Sequence, residues 1–498
     1  MKHSNLRIKR NTRWMLTILC VCFTGSLSAG NPPNPANEPL KGRVACGEKG
    51  IAKVVVTDGT HFTLTDKKGY YTLPATGEAT HVYISSPSGY TVPVDNSVPL
   101  FWVPLRQVKD RQHIDFRLQR LPYPDDQHAF VAIGDPQVRN NAEVNKLKPL
   151  VEALATDLKT LGPTPLHVMI AGDLVFNRPA LHEASKACFA TLGLPVYNAI
   201  GNHDHVFDRS QTPDLREDKV ADSVYIRHYG PTDYSFNRGR VHYLVMDNIL
   251  FKGGSKAIYD IGFTPEQLAW AKNDLSYVPK DKAVIVMIHA PSKRPEADSV
   301  GNCNQLRALL KGFACAQIIS GHTHNNNVMA DTSGIIEHII GAACGGFWEG
   351  PVCTDGTRMG YKFFQVDGIN IRWKYHAYAG SGLQFTVSAP GERSSDLEPV
   401  NQLLVNVWDW DPAWQVTYSE DGGQSWKSMA QITEGAYDPT AYRYFGKKGD
   451  GLIPGRSFIG ARKTDHIFRC TPAPGLKNVI IKTVSRFGEE CRQLIELH

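Results

Sequence analysis

Short apolar runs that end in polar turns recur through the middle of the chain. Five of them contain five to seven residues, which is typical of buried strands. Between the runs, apolar residues recur at three- and four-residue spacings over 141–161, which predicts a helix although Pro149 lies inside it. Thr264 has N-cap chemistry and Pro265 stands at the first helical position, which predicts a second helix through Leu275. Strands that alternate with helices predict an α/β fold. The five runs are 129–133, 167–171, 194–200, 283–288 and 316–320.

Two regions with shorter, alternating runs flank the α/β segment, which spans residues 124–379. Residues 37–122 are rich in Val, Thr, Tyr and Gly, and turn signals separate their short runs, which predicts an N-terminal antiparallel β-sandwich. Residues 380–498 predict a C-terminal β domain, with a strong hairpin turn at 420–423. The chain is therefore expected to contain three domains after its first segment.

The first segment, residues 1–29, is typical of a secretory signal peptide cut near Ser28 or Ala29. Basic residues precede the apolar run 15–23, which is too short to span a bilayer comfortably, so no transmembrane segment is expected after cleavage. Five of the 54 Lys and Arg lie in this segment and none of the 49 Asp and Glu, so cleavage lowers the formal net charge from +5 to zero. Bulk charge then indicates no nucleic-acid partner, and we predict an exported protein, periplasmic or extracellular.

Each of the five apolar runs is followed directly by polar side chains that can bind metal ions. Because the carboxyl ends of parallel strands meet at one edge of a sheet, we expect these side chains to lie close together. Carboxylates, amide oxygens and imidazoles are the donors that a hydrolytic metal site needs. The set comprises Asp135, Gln137, Asp173, Asn202, His203, Asp204, His289, His322 and His324.

The order of these motifs resembles the signature of the calcineurin-like metallophosphoesterases, over roughly half of the chain. The resemblance implies a four-layer α/β/β/α sandwich and, with the flanking β regions, the three-domain architecture of secreted bacterial phosphoesterases. Residues 65–74 are in addition similar to a transthyretin-like or carboxypeptidase-regulatory domain. The implied activity is a hydrolase of phosphate esters that uses a water activated by a dinuclear metal centre.

The resemblance also implies a role for each residue. Asp173 would bridge the two metals, His203 would contact phosphate or protonate the leaving group, and Asp204 would orient His203. The first metal would be held by Asp135, Gln137 and His324, and the second by Asn202, His289 and His322.

Two positions bear on the identity of the metals. Gln137 stands where the family commonly has His, and its amide oxygen is a weaker, neutral ligand, so we expect Mn²⁺, Mg²⁺ or Fe rather than Zn²⁺. Phe176 stands where purple acid phosphatases, a related branch, have a ligating Tyr, so a redox-tuned iron site is not expected.

The sequence contains few indications of the substrate. Asn177, His205 and the loop residues Phe347 and Trp348 are candidate substrate-binding residues, and the aromatic pair could equally pack between domains. We predict a phosphorylated small-molecule or lipid substrate, with a phosphomonoester slightly favoured over a phosphodiester. The alternative is a degenerate core that serves as an exported binding or scaffold protein for glycan, lipid or protein, and Gln137 is its only support.

The remaining polar residues have structural interpretations. Asp247 and Asn248 follow a strand but match no metal position of the family. The eight cysteines outside the signal segment leave two interpretations open, near-neighbour disulfides or free buried thiols. The near-neighbour pairs are Cys303 with Cys315, Cys344 with Cys353, and Cys470 with Cys491.

Overall fold

The fold of the chain is given by a computed structural model. The predicted signal peptide lies outside the described residues, so export stays a prediction. Within the described ranges, no helix is long and apolar enough to cross a membrane. The structure describes residues 38–74, 79–206, 218–252, 258–294, 299–378, 382–390, 402–447, 451–453 and 458–497.

The N-terminal region consists of short β-strands, as its alternating pattern predicts. Two four-stranded sheets form most of it, and it packs against the edge of the central region, where Ser235 Oγ donates a hydrogen bond to Ser85 Oγ at 2.8 Å. The strands are Leu40–Cys46, Lys49–Gly50, Val55–Thr57, Phe62–Leu64, Tyr70–Leu73, His81–Ser85, Tyr90–Thr91, Val94–Asp95, Val98–Pro99, Trp102–Pro104, Phe116–Arg117 and Gln119–Arg120.

Two mixed sheets form the central region and confirm its α/β class. Three neighbouring strands of one sheet and four of the other run parallel, so their carboxyl ends share an edge. The five-stranded sheet has the order Val196–Asn198, Leu166–Ile170, Gln127–Ile133, Gly360–Asp367 and Asn370–Ala377. The six-stranded sheet has the order Tyr234–Arg238, Val241–Val245, Ala283–Met287, Cys315–Ser320, Ile336–Ile339 and Asn327–Ala330, and a separate hairpin pairs Ile249–Phe251 with Tyr259–Ile261.

The two central sheets face each other because their strand residues alternate between two apolar layers. Phe130 packs towards the six-stranded sheet, where its ring centroid lies 5.5 Å from that of Tyr243. Its neighbour Val131 belongs to a different cluster, together with Leu147 of the helix Asn141–Lys159. Each face of the five-stranded sheet is therefore buried, one against the second sheet and one against a helix.

The two helices predicted from the sequence are present. Pro149 lies on the exposed side of the helix Asn141–Lys159, so its apolar side still packs on the sheet. Thr264 and Gln267 form a reciprocal capping box that begins the helix Pro265–Ser276. The other helices are His182–Ala190, Asp218–Ala221, Ser223–Tyr229, Cys303–Leu310 and Pro439–Phe445, with 3₁₀ turns at Leu105–Gln107 and Pro179–Leu181.

The C-terminal region is β-rich and contacts the central region through buried polar groups. Lys362 Nζ lies 2.6 Å from Asp409 Oδ1 in a fully buried ion pair. All eight cysteines outside the predicted signal peptide are free, so the near-neighbour disulfide interpretation is wrong and the free-thiol one holds. The strands are Phe385–Ser388, Leu403–Val407, Gln415–Ser419, Lys427–Ser428, Ala430–Gln431, Ala436–Tyr437, Lys463–Thr464, Ile467–Cys470, Asn478–Val484 and Glu490–Glu496.

Candidate metal centre

The loops that follow five central strands bring seven of the predicted donors to one buried place. We call this set the strand-end cluster. One ligand atom from each of Asp135, Asp173 and His289 lies within 4.8 Å of the others, and all three residues are at most 1% exposed. The strand-end cluster comprises Asp135, Gln137, Asp173, Asn202, His289, His322 and His324.

Asp173 lies at the middle of the strand-end cluster. Its Oδ1 accepts a hydrogen bond from the backbone N–H of His203 at 2.9 Å and lies 3.4 Å from Nε2 of His289. Its Oδ2 accepts from Nε2 of Gln137 at 2.7 Å. The carboxylate therefore touches residues from both sheets, which is the position that a bridging ligand needs.

Backbone carbonyls orient two of the imidazoles. Nδ1 of His289 donates to the carbonyl of Ala171 and Nδ1 of His324 donates to that of Gly345, each at 2.7 Å. Donation from Nδ1 leaves the lone pair on Nε2, and the two Nε2 atoms face Asp173 and Asp135. Metal-ligating histidines are held in this way.

Asn202 and His322 belong to the strand-end cluster and lie beside His289. Oδ1 of Asn202 lies 3.0 Å from both Nε2 of His289 and Nδ1 of His322. An amide oxygen and unprotonated ring nitrogens all offer electron pairs, so a cation between them would stabilise this convergence. Burial opposes protonation of His289, but the Asp173 carboxylate raises its pKa to about 9, so metal binding would release a proton from this ring.

Of the two amides in the strand-end cluster, Gln137 is the one whose nitrogen, rather than its oxygen, faces the centre. Its Nε2 donates to Asp173, while its Oε1 lies 3.7 Å from Sγ of Cys344. Rotation of the amide by 180° about its terminal torsion exchanges the two atoms and turns the oxygen towards Asp173.

Burial and neighbouring charges set the protonation of the cluster. Burial, together with the charge of Asp173, raises the pKa of Asp135 to about 8. Burial opposes ionisation of Asp173 too, but His289 and His203 beside it hold its pKa below the ordinary value. Burial lowers the pKa of His324 to about 4, so this imidazole is neutral at pH 7 and able to bind a metal.

Backbone strain is concentrated at the strand-end cluster. Eleven described non-glycine residues have positive φ, a conformation that side chains with a Cβ adopt at a cost. Eight of the eleven are at or beside the predicted site, and they include four members of the cluster with φ between 42° and 55°. The eight are Asp135, Gln137, Asp173, Asn177, His322, His324, Phe347 and Trp348.

Gly201 is required by the close approach of two loops. A Cβ at this position would lie 2.2 Å from the backbone nitrogen of Asp173 and 2.3 Å from its Oδ1. Any side chain here would displace Asp173, which explains the glycine at the head of this motif.

His203 lies at the partly exposed rim of the strand-end cluster, and the prediction that Asp204 orients its ring is wrong. Asp204 does not contact the His203 ring but accepts hydrogen bonds from the backbone N–H groups of Leu174, Val175 and Gly201 at 2.9–3.1 Å. Neighbouring residues of a turn point in different directions, so adjacency in sequence misled the prediction. Nδ1 of His203 donates instead to Oδ1 of Asn177 at 2.8 Å.

Two predicted substrate-binding residues are inaccessible. His205 is 1% exposed and its Nε2 faces Asp222, 3.1 Å away, rather than the rim. Trp348 is 6% exposed and its indole N–H donates to the carbonyl of Pro136 at 3.1 Å. Phe347 is partly exposed and stacks on the ring of His324 at 4.2 Å, so it remains a candidate.

The fold and the strand-end cluster define the class of protein, a metal-dependent phosphoesterase with a dinuclear centre. The model described as "Calcineurin-like phosphoesterase" matches residues 128–326, and the models of its N-terminal and C-terminal regions match residues 38–121 and 337–490. The chain belongs to the calcineurin-like phosphoesterase family and has its three-part architecture.

Two curated proteins and a solved structure are similar to parts of the chain. Tartrate-resistant acid phosphatase type 5 of Mus musculus is 26% identical over an alignment of 244 residues, which covers 43% of this chain and 71% of the relative. The Rattus norvegicus enzyme of the same name is 25% identical over 244 residues, with the same coverage of both chains. A solved dimetal phosphatase from Danio rerio superposes with a TM-score of 0.37 at 14% identity, covering 52% of this chain and 98% of its own.

Proposed function

We propose that the protein is an exported phosphatase that hydrolyses phosphomonoesters of small molecules or lipids. The observation that carries the proposal is the convergence of strained carboxylate, amide and imidazole residues around Asp173, with His203 at the accessible rim. The names of the two curated relatives, both acid phosphatases, favour a monoester. The signal-like residues 1–29 support export.

Two divalent ions held by the strand-end cluster would polarise the phosphoryl oxygens and make a water nucleophilic at neutral pH. Asp173 would contact both ions. Asp135, Gln137 and His324 would complete the first set of ligands, and Asn202, His289 and His322 the second.

His203 is the residue placed to handle a proton. Its Nδ1–H is engaged with Asn177, so its Nε2 is the atom available to the substrate. Stacking on Phe176, with ring centroids 4.1 Å apart, fixes the plane of the imidazole. A protonated Nε2 would donate to the phosphoryl group or to the departing oxygen, which is the role of a general acid.

The donor set favours Mn²⁺, Mg²⁺ or Fe over Zn²⁺. Carboxylate and amide oxygens outnumber imidazoles, and oxygen donors suit the harder ions. Gln137 would ligate through its oxygen after the amide rotation described above. Phe176 has no oxygen to donate, which supports a pair of divalent ions rather than an iron–tyrosinate site.

A cavity of about 550 Å³ beside the cluster supports a small anionic substrate. Tyr259 and Arg294 line it, and the ring of Tyr259 lies 6.1 Å from that of His322. Nε of Arg294 is buried without a hydrogen-bond partner among the described residues, so it is free to pair with an anionic group.

Paired chromogenic substrates test the proposal. The purified protein is loaded with Mn²⁺ and assayed on p-nitrophenyl phosphate and on bis(p-nitrophenyl) phosphate, with Asp173→Asn as the blank. We expect faster turnover of the monoester and none above background in the blank. Faster turnover of the diester would contradict the monoester assignment, and equal rates in the blank would contradict the site.

A further inference from the structure

A second buried group of acids and an imidazole lies behind the loop that carries Asn202 and His203. Its donor atoms, Nε2 of His205 and carboxylate oxygens of Asp218, Asp222 and Asp247, all lie within 4.8 Å of one another. We call these four residues the Asp222 cluster. They come from four places in the chain: the loop after the strand Val196–Asn198, the start of the helix Asp218–Ala221, the N-cap of the helix Ser223–Tyr229 and the turn just after the strand Val241–Val245.

Two atoms of the Asp222 cluster are buried without a hydrogen-bond partner. They are Nε2 of His205 and Oδ1 of Asp222, whose residues are 1% and 5% exposed. Buried polar atoms without partners are rare in folded proteins because each costs the free energy of its lost hydration. The two atoms lie 3.1 Å apart as an ion pair without hydrogen-bond geometry, so a cation bound to both would satisfy them together.

His205 has the orientation of a metal ligand. Its Nδ1 donates to the carbonyl of Gly201 at 2.8 Å, so Nε2 is the ring nitrogen that faces the carboxylates and would bind a metal once its proton is displaced. The same arrangement holds His289 and His324 in the strand-end cluster. The ring also stacks on Phe251, with centroids 5.6 Å apart, so Nε2 is fixed in its direction.

In the described part of the chain, the carboxylates of the Asp222 cluster have no counter-charge from a Lys or Arg side chain. Among the described residues, no Lys or Arg forms an ion pair with Asp218, Asp222 or Asp247, whereas His205 lies near all three. Burial and the charge of Asp222 together raise the pKa of Asp218 to about 6. Three carboxyl groups and one imidazole converge here, which is a donor set that a divalent cation would satisfy.

The four donor atoms surround a space that one cation could occupy, and an octahedral ion would draw Asp218 or Asp247 closer, because only one ligand can lie opposite His205. Nε2 of His205 lies 3.1 Å from Asp222 Oδ1, 3.8 Å from Asp247 Oδ2 and 4.0 Å from Asp218 Oδ1. Octahedral bonds of about 2.1 Å place neighbouring ligands about 3.0 Å apart and opposite ligands about 4.2 Å apart. We propose that the Asp222 cluster binds a third divalent metal ion. Three carboxylates and one imidazole form a donor set that favours Mn²⁺ over Zn²⁺.

The third ion would stabilise the loop 201–205, which carries Asn202 and His203. His205 is two residues after His203, and its Nδ1 is hydrogen-bonded to Gly201 at the head of the same loop. A metal that ties His205 to two helices and a strand would fix both ends of this loop. The third ion would therefore stabilise the loop and take no part in phosphate hydrolysis itself. Its ligands are separate from those of the dinuclear centre.

Metal counting tests the third site. The purified protein and its variants are loaded with Mn²⁺, freed of excess metal by gel filtration and analysed by mass spectrometry for Mn per chain. We expect about three ions in the wild-type protein and one fewer in Asp222→Asn. Asp281→Asn removes an exposed carboxylate that pairs with Arg240 and should leave the count unchanged.

The difference in Mn per chain between the wild-type protein and Asp222→Asn tests the third site, whether or not the dinuclear centre is occupied. A loss of one ion supports the third site even if the wild-type protein binds only one, an outcome that would contradict the proposed function alone. Equal counts in the two proteins overturn the third site. If Asp222→Asn fails to fold, Asp218→Asn replaces it, since that side chain is 26% exposed, and at least a tenfold weaker affinity for one ion is expected.

Discussion

The loop 201–205 connects two buried groups of acids and imidazoles that differ in their backbone. In the strand-end cluster, Asp135, Asp173 and His324 have positive φ, whereas no member of the Asp222 cluster does. The strand-end cluster also opens at His203 and His322, which are partly exposed. Strain and access occur together where donors must face both a metal and a substrate, and a site that only binds a metal can be built on relaxed backbone.

The largest effect should follow from the loss of Asp173. Asp173→Asn removes the charge that contacts both sides of the strand-end cluster, and we expect kcat/KM for p-nitrophenyl phosphate to fall by at least about a thousandfold, as for the loss of several kcal/mol of transition-state stabilisation. Asp222→Asn, measured in parallel, should lower it far less. Comparable losses in the two variants would show that the two clusters do not differ in function.

The second-largest effect should follow from the loss of the His203 imidazole. We expect His203→Ala to lower kcat by about a hundredfold or more, with a larger loss for an alkyl phosphate than for p-nitrophenyl phosphate, because a poor leaving group needs the proton. Asn177→Ala should show the same dependence on leaving group with a smaller loss. An equal loss for both substrates would argue against proton donation by His203.

A change of metal preference should follow from Gln137. Gln137→His supplies an imidazole in place of an amide, and we expect it to tighten Zn²⁺ relative to Mn²⁺ by roughly tenfold or more. Competition between the two ions, read by metal analysis, measures the ratio. An unchanged ratio would indicate that Gln137 orients Asp173 through its amide nitrogen and does not bind the metal.

The smallest effect concerns stability. Asp222→Asn should lower the Tm measured in Mn²⁺ by roughly 5 °C, because a ligand that binds only the folded state stabilises it. In EDTA the difference should largely disappear. A variant that melts equally early with and without Mn²⁺ would show that Asp222 stabilises the fold through its own contacts rather than through a metal.

The sequence predicted the strand-end cluster well because each donor follows a buried strand within a few residues. The ends of neighbouring parallel strands must meet, so local pattern determines which residues converge. The Asp222 cluster has no such signal. Asp218 begins a short helix and Asp222 is the N-cap of the next, 13 and 17 residues after His205, and only Asp247 stands at a strand end. Its geometry depends on how the helices dock, which spacing along the chain does not encode.

The errors in the predicted site come from side-chain direction. Asp204 follows His203 directly, yet it caps backbone N–H groups instead of orienting the ring. Trp348 follows Phe347 in an aromatic pair, but positive φ at both residues turns the indole inward to Pro136. Rotamers and strained backbone are fixed by packing, so residue type and order do not predict them.

The central claim, two ions held around Asp173, is tested most directly by anomalous diffraction from crystals loaded with Mn²⁺. The account predicts two peaks about 3.5–4 Å apart that share Asp173 as a ligand. A separate third peak between His205 and Asp222 would support the further inference. Absence of any peak beside Asp173, in crystals whose Mn²⁺ is saturating, would contradict the account.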